Sequence, residues 1–140
     1  MKLDIAPLEK AIGQLQKSLT YLNSEMARQD ENLREQFRGA AIQAFEYTYE
    51  LGLKMLRRQL EQIVSNPAEI REMNFLDFIR AAAEAGLVKD VPGYRLYREK
   101  RNITSHTYDL HKAEELLEIM DGFMLEMRFL LTELKKRNRA

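Results

Sequence analysis

Apolar residues recur along most of the chain at steps of three and four, the period of one face of an α-helix. Leu8, Ile12, Leu15, Leu19 and Leu22 form an a/d seam that predicts a first helix over roughly 5 to 25. Asp4 can cap this helix from outside, and Pro7 is tolerated in its first turn. Asp30 is the expected N-cap of a longer second helix, which runs without proline to Val64. Leu33, Phe37, Ala41, Ala44, Phe45, Thr48, Leu51, Met55 and Leu56 give that helix a broad apolar face. Gly39, Ala40 and Ala41 would make one section narrow enough for a close neighbour. Gly52 costs about 1 kcal/mol against alanine in a helix interior. It marks either a tight contact or plain tolerance.

"SNP" at 65–67 breaks the pattern. A third helix is expected through "FLDFIRAAAEAG", with Phe75, Phe78, Ile79 and Ala82 inward and Gly86 as C-cap. "KDVPGY" is the next break. A fourth helix is expected over "GYRLYREKRNIT", fraying near Ser105. Asp109 is a candidate N-cap for the last helix, which carries Leu116, Ile119, Met120, Phe123, Leu130 and Leu134. Its basic tail, "KKRNR", is expected to be solvated and mobile. There is no alternating strand pattern, no hairpin dipeptide, no internal repeat and no low-complexity segment. The pattern therefore predicts an all-α, up-and-down bundle of four to five helices, forming a single domain over 1–140. The seven methionines and six phenylalanines belong mostly to its core.

Charge changes this picture little. Lys+Arg and Asp+Glu are both 22, so the net charge is zero. That argues against a generally basic nucleic-acid coat and leaves room for a local basic patch. The absence of cysteine excludes disulfides, thiolate metal sites and cysteine nucleophiles, and it fits a reducing compartment. "MKLDIAPLEK" has no apolar h-region, and no apolar run approaches the ~18 residues of a membrane span. A soluble, cytoplasmic protein without a membrane partner is expected.

Familiar catalytic signatures are missing. "ELGLK" at 50–54 lies mid-helix without G-x-x-x-x-G-K, and there is no HExxH or EF-hand loop. No metal and no cofactor is expected. The informative stretch is "REKRNITSHTYD", 98–109, which holds one of the chain's two histidines. On a continuous helix Tyr94, Tyr97, Arg101, Ser105 and Tyr108 would share a face with Arg98 beside them. Such a face suits phosphates and stacked bases. The plainer reading is an amphipathic helix with half-buried tyrosines and snorkelling arginines. Arg101 and His106 are five apart, roughly 140° around an ideal helix. They can serve one site only if the helix ends or tightens between them, or if a second chain supplies a matching copy. "NITSHT" allows the first, because Asn, Thr and Ser compete for backbone hydrogen bonds and favour helix ends. A histidine titrating near ~6.5 can move a proton at neutral pH. An arginine can stabilise charge growing on a phosphate. RNA brings its own nucleophile, the 2′-hydroxyl. His111 reads as a surface residue at a helix start and is given no role.

These residues resemble a known family. "RNITSHTYD" (101–109) looks like the Arg-x4-6-His motif of HEPN domains in its Arg-x4-His-x-Tyr form, with Asn102 at the usual polar position. "AAIQAFEYTYELGLKMLRRQLE" (40–61) and "IREMNFLDFIRAAAEAGLV" (70–88) resemble the second and third segments of the nucleotidyltransferase substrate-binding branch. The resemblance implies a helical bundle, a homodimer and a small minimal nucleotidyltransferase as partner. In toxin–antitoxin relatives, the HEPN protein is a metal-independent endoribonuclease silenced by transfer of AMP to the motif tyrosine. Carried across, Arg101 and His106 are catalytic, Asn102 supports them and Tyr108 is the modification site. Arg95, Arg98 and Lys100 are the expected RNA- and phosphate-binding patch, bordering with Arg101 a cleft across the dimer axis. Two other functions remain open: a non-catalytic, nucleotide-binding subunit acting with a separate catalytic chain, and a plain helical interaction module.

Overall fold

The computed structural model describes residues 2–138. Within them the chain forms eight α-helices and one 3-10 turn, with no strand. Helix α1 spans Ala6–Leu22, α2 Glu25–Gln29, α3 Glu31–Ile63, α4 Pro67–Glu72, α5 Phe75–Glu84, α6 Val91–Asn102, α7 Leu110–Leu117 and α8 Met120–Asn138. The 3-10 turn, Thr104–His106, links α6 to α7.

Most boundaries follow from local side chains. The Asp4 carboxylate accepts from the Ala6 N–H, and Pro7 lies in the first turn of α1. Asp30 accepts from the N–H groups of Asn32 and Leu33, satisfying donors that the start of α3 would otherwise leave open. Asn66 and Asn74 cap α4 and α5 in the same way, so "SNP" starts a short helix as well as ending a long one. After α5, Leu87 N–H donates to Ala82 C=O and Gly86 N–H to Ala83 C=O, a Schellman ending. That ending needs the φ of +82° that Gly86 supplies. The expected first helix ends earlier than predicted, because Ser24 caps a separate short helix. The expected last helix is divided, with a turn at Glu118 and Ile119 between α7 and α8.

The long helices α1, α3 and α8 pack along one another, and α5 and α6 lie against α3. The seam residues Leu8, Ile12, Leu15 and Leu22 are buried, whereas Leu19 is half-buried at the edge. Phe45 of α3 meets Phe123 of α8 edge-on at 4.7 Å, and Tyr97 of α6 meets the same Phe123 at 5.2 Å. One ring on α8 thereby joins three helices. Met55, Met120, Met124, Met127, Phe45, Phe78 and Phe123 are buried as expected, whereas Met26 is exposed. Met1 lies outside the described residues.

Two expectations are corrected. Of the section Gly39, Ala40 and Ala41, Ala41 alone is buried: Gly39 and Ala40 are exposed, and a Cβ on Gly39 would meet nothing within 4 Å. The close approach is at Gly52, where a Cβ would stand 2.9 Å from Met127 Sδ on α8. Gly52→Val is therefore expected to destabilise the protein by about 1–3 kcal/mol through overpacking. A denaturation midpoint equal to wild type would contradict that tight contact. The second correction concerns the basic tail. Lys135 pairs with Glu9, Arg137 pairs with Glu133 and donates to the Ala85 carbonyl, and Asn138 donates to Gln59 while accepting from Leu3 N–H. The end of α8 is anchored along its length to Asn138; Arg139 lies outside the described residues.

Candidate functional site

The position of Arg101 follows from the buried half of α6. Tyr97 packs on Phe123, and Tyr94 packs against Tyr97 at 5.8 Å. Both phenols are in the core, and burial pushes the Tyr97 hydroxyl up to about 12 and that of Tyr94 well above its ordinary value. The expected surface stripe of three tyrosines and two arginines is therefore not formed. Two of its tyrosines are core, and the helix ends before Ser105 and Tyr108.

With Tyr97 fixed inward, Arg101, one turn later, lies along α3. Its Nε and Nη2 donate to one Glu50 carboxylate oxygen at 3.1 and 2.6 Å, and Nη1 lies 3.7 Å from Glu46. Nη1 also donates to Thr104 Oγ1 at 3.0 Å, while the Thr104 hydroxyl donates to the Arg101 carbonyl at 2.8 Å. The Glu50 hydrogen bond raises the Arg101 pKa further, against the lowering effect of burial. The guanidinium is thus a fixed cation held from two sides. Buried Tyr49, next to Glu50, has its hydroxyl pushed up to about 12 by desolvation, with Arg98 and Arg101 pulling it down.

Between Arg101 and His106 the backbone changes its hydrogen bonding. Ile103 N–H donates to Lys100 C=O, His106 N–H to Ile103 C=O and Asp109 N–H to His106 C=O. Thr107 adds a side-chain bond to the Thr104 carbonyl at 3.0 Å. The α-helix ends and tightens here, one of the two arrangements that spacing left open. His106 and Tyr108 both project to solvent, their rings edge-on with centroids 6.1 Å apart, and Tyr108 is 85% exposed. Asp109 caps α7 by accepting from His111 and Lys112 N–H groups, and His111 is an exposed helix-start residue as expected. Among the described residues, the side-chain hydrogen bonds of Arg101 go to Glu50 and Thr104, not to His106.

The other predicted residues separate. Lys100 reaches the opposite way, to Glu115 of α7, and that hydrogen bond holds the Glu115 carboxyl below its usual range. Arg95, Arg98 and Asn102 line a groove between α5 and α6. Arg98 places its guanidinium 4.5 Å over the Phe75 ring. Within one protomer the four cations of α6 thus point in three directions, and Asn102 lines the groove between α5 and α6. Glu46, Glu50 and Thr104 were not anticipated. Glu46 and Glu50 carry a faint signal, four residues apart on one helix face, but the helix they meet is set by tertiary packing. Among the described residues no group of three His, Asp or Glu side chains is arranged to hold a metal ion.

Similarity to known proteins runs along nearly the whole chain. A family model described as nucleotidyltransferase substrate binding protein like matches residues 3–136. A Haemophilus influenzae protein named "Probable ribonuclease HepT" is 37% identical over 139 residues, covering 98% of this chain and 95% of that protein. A solved Haemophilus influenzae structure, described as revealing the fold of a substrate binding domain of a nucleotidyltransferase, superposes with a TM-score of 0.90. It is 36% identical, and the match covers 94% of this chain and 99% of that one.

Proposed function

The chain belongs to the nucleotidyltransferase substrate binding protein-like family, the branch its motif resembles, and from that premise we propose that it is a homodimeric, metal-independent endoribonuclease of the HEPN toxin type. The observation that carries the reading is the presentation of the motif. The α6 helix stops at Asn102, the 3-10 turn leaves His106 and Tyr108 outward, and Arg101 on the last turn of α6 is a cation fixed by Glu50.

The chemistry is internal transesterification. A base takes the proton from the RNA 2′-hydroxyl, and the 2′-oxygen bonds to phosphorus. The bond from phosphorus to the 5′-oxygen breaks, and an acid protonates that oxygen. The products are a 2′,3′-cyclic phosphate and a free 5′-hydroxyl. Two proton transfers suit two imidazoles, and one protomer offers a single His106. The second copy in a homodimer supplies the other, with both motifs on one cleft. Arg101 stabilises the charge that builds on the phosphoryl oxygens. An arriving phosphate competes with Glu50, whose side chain is largely exposed and can swing aside.

The proposed partner is a minimal nucleotidyltransferase. The Tyr108 phenol attacks the α-phosphorus of ATP and releases pyrophosphate, leaving AMP on the tyrosine. Its high exposure supports this role, because a separate enzyme must surround the acceptor. Co-expression tests the reading. Wild-type protein alone is expected to cut RNA and arrest growth, and the partner is expected to relieve both while adding one AMP to the Tyr108 peptide. Tyr108→Phe is expected to remain an active nuclease that the partner no longer silences. Partner rescue of Tyr108→Phe as complete as that of wild type would overturn the modification site.

The description of the solved relative favours a second reading, a non-catalytic subunit that binds nucleotide for the partner enzyme. It requires nucleotide binding by the isolated protein or by the complex. Calorimetric titration with ATP together with an RNA cleavage assay on the same preparation separates the two readings: ATP binding without cleavage favours the subunit, and cleavage favours the nuclease.

A further inference from the structure

The groove between α5 and α6 is lined by cations from two helices. Arg95 and Arg98 come from α6 and Arg80 from α5, with Asn74 and Asn102 at its edges. Its volume is about 670 Å³, the scale of a small-molecule site. Two carboxylates, Asp77 and Glu99, also line it. Only Asp77 reaches a cation, standing 3.8 Å from Arg80 with both side chains mostly exposed. Among the described ion pairs none engages Arg95 or Arg98. Their neighbours Lys100 and Arg101 are both neutralised, by Glu115 and Glu50.

The floor of the groove is aromatic. Phe75 holds the Arg98 guanidinium 4.5 Å above its ring. A guanidinium lying over a ring has a second face on which a base can stack. Asn74 uses its carbonyl oxygen to cap α5 by accepting from Asp77 N–H at 2.9 Å. Its amide nitrogen remains as a donor, and Asn102 adds a second exposed carboxamide. Guanidinium groups for phosphate, a stacking plane and amides for base edges or a ribose form a set suited to one nucleotide. An acidic protein surface would need charge over a broader, flatter area.

We propose that this groove is an accessory nucleotide subsite, holding a single-stranded RNA residue next to the cleaved linkage. The placement rests on the ribonuclease reading above. Asn102 lines the groove and follows Arg101 on α6, so a strand leaving the groove there has about 100° of helix surface to cross before it reaches the motif arginine. Asn102 is then a strand-guiding residue and not a supporter of the Arg101 cation.

The test uses a fluorescein-labelled dodecauridine and fluorescence anisotropy over a salt series. Binding is read on full-length His106→Ala protein, which keeps the probe intact. Adding Arg95→Ala and Arg98→Ala is expected to weaken binding by about tenfold and to flatten the slope of log affinity against log salt by about 0.7, the single-strand value for the one phosphate contact made by Arg95 while Arg98 serves as the stacking plane. Arg95→Glu, which leaves the Phe75 stack intact, is expected to weaken binding as well. Lys10→Ala with Lys17→Ala removes the same charge from α1 and is expected to change little. Equal losses in the two double variants would reduce the groove to nonspecific charge and sink the proposal. Unchanged RNA affinity with loss of nucleotidyltransferase binding would assign the groove to the partner instead, which also overturns it. Cleavage of the probe by wild-type protein is scored separately. Cleavage with groove-independent binding refutes the subsite alone. Groove-dependent binding without cleavage upholds the groove as an RNA-binding site, refutes the nuclease and with it overturns the placement beside a cleaved linkage.

Discussion

His106→Ala is expected to lower RNA cleavage by about 10²–10⁴-fold, the usual contribution of a positioned acid–base group, while leaving stability within about 0.5 kcal/mol of wild type. The two effects separate because the turn does not depend on the imidazole. Its hydrogen bonds are made by the His106 backbone N–H and C=O and by the Thr104 and Thr107 hydroxyls. The only described ring contact of His106 is edge-on with Tyr108, itself exposed. Arg101→Ala is expected to behave differently. It loses a cation that touches Glu50, Glu46 and Thr104, so it should lower both cleavage and stability. The stability cost is small, about 1 kcal/mol or less, because the Glu50 partner is largely exposed and solvent screens the pair. Cleavage assays and chemical denaturation on the same preparations decide the matter. If Arg101→Ala loses stability while both variants keep full cleavage, the motif is a structural tie between α3 and α6.

Phe123→Ala should be the most damaging single substitution to the fold, at about 3–5 kcal/mol. The side chain is fully buried and meets Phe45 at 4.7 Å and Tyr97 at 5.2 Å. Truncation leaves a cavity where α3, α6 and α8 meet, and it forfeits two edge-on aromatic contacts. Urea titration followed by circular dichroism measures the loss. A midpoint close to wild type would mean the three helices collapse onto the space.

Hydrophobic spacing and capping residues carried most of the fold. Asp30 and Asp109 act where local chemistry puts them, because a cap is read over three or four consecutive residues. The divided last helix was harder to foresee, since "LLEIMDGF" has neither proline nor a strong breaker before Gly122. The motif residues were legible as a set, and the break between Arg101 and His106 was legible from the hydroxyl run. Their surroundings were not. Tyr94 and Tyr97 share a helix stripe with Arg101 by spacing, yet the core takes the tyrosines and α3 takes the arginine. Lys100 and Arg98 are two apart and so nearly opposed on the helix, a divergence that charge counting along the sequence conceals. Glu50 and Arg80 come from other helices altogether, and no local pattern could have paired them with α6.

The hydrogen bond from Leu3 N–H to Asn138 Oδ1, at 2.9 Å, spans 135 positions of sequence. Asn138 also holds Gln59 on α3, so three distant stretches meet at one carboxamide. Fraying at one end therefore removes a partner from the other, and the two ends open as a unit. In native-state hydrogen exchange the amides near residue 3 and those of the last turn of α8 should share one opening free energy. The stretch at residue 3 and the last described turn of α8 are thus tied through Asn138, alongside the Lys135–Glu9 pair that joins α8 to α1.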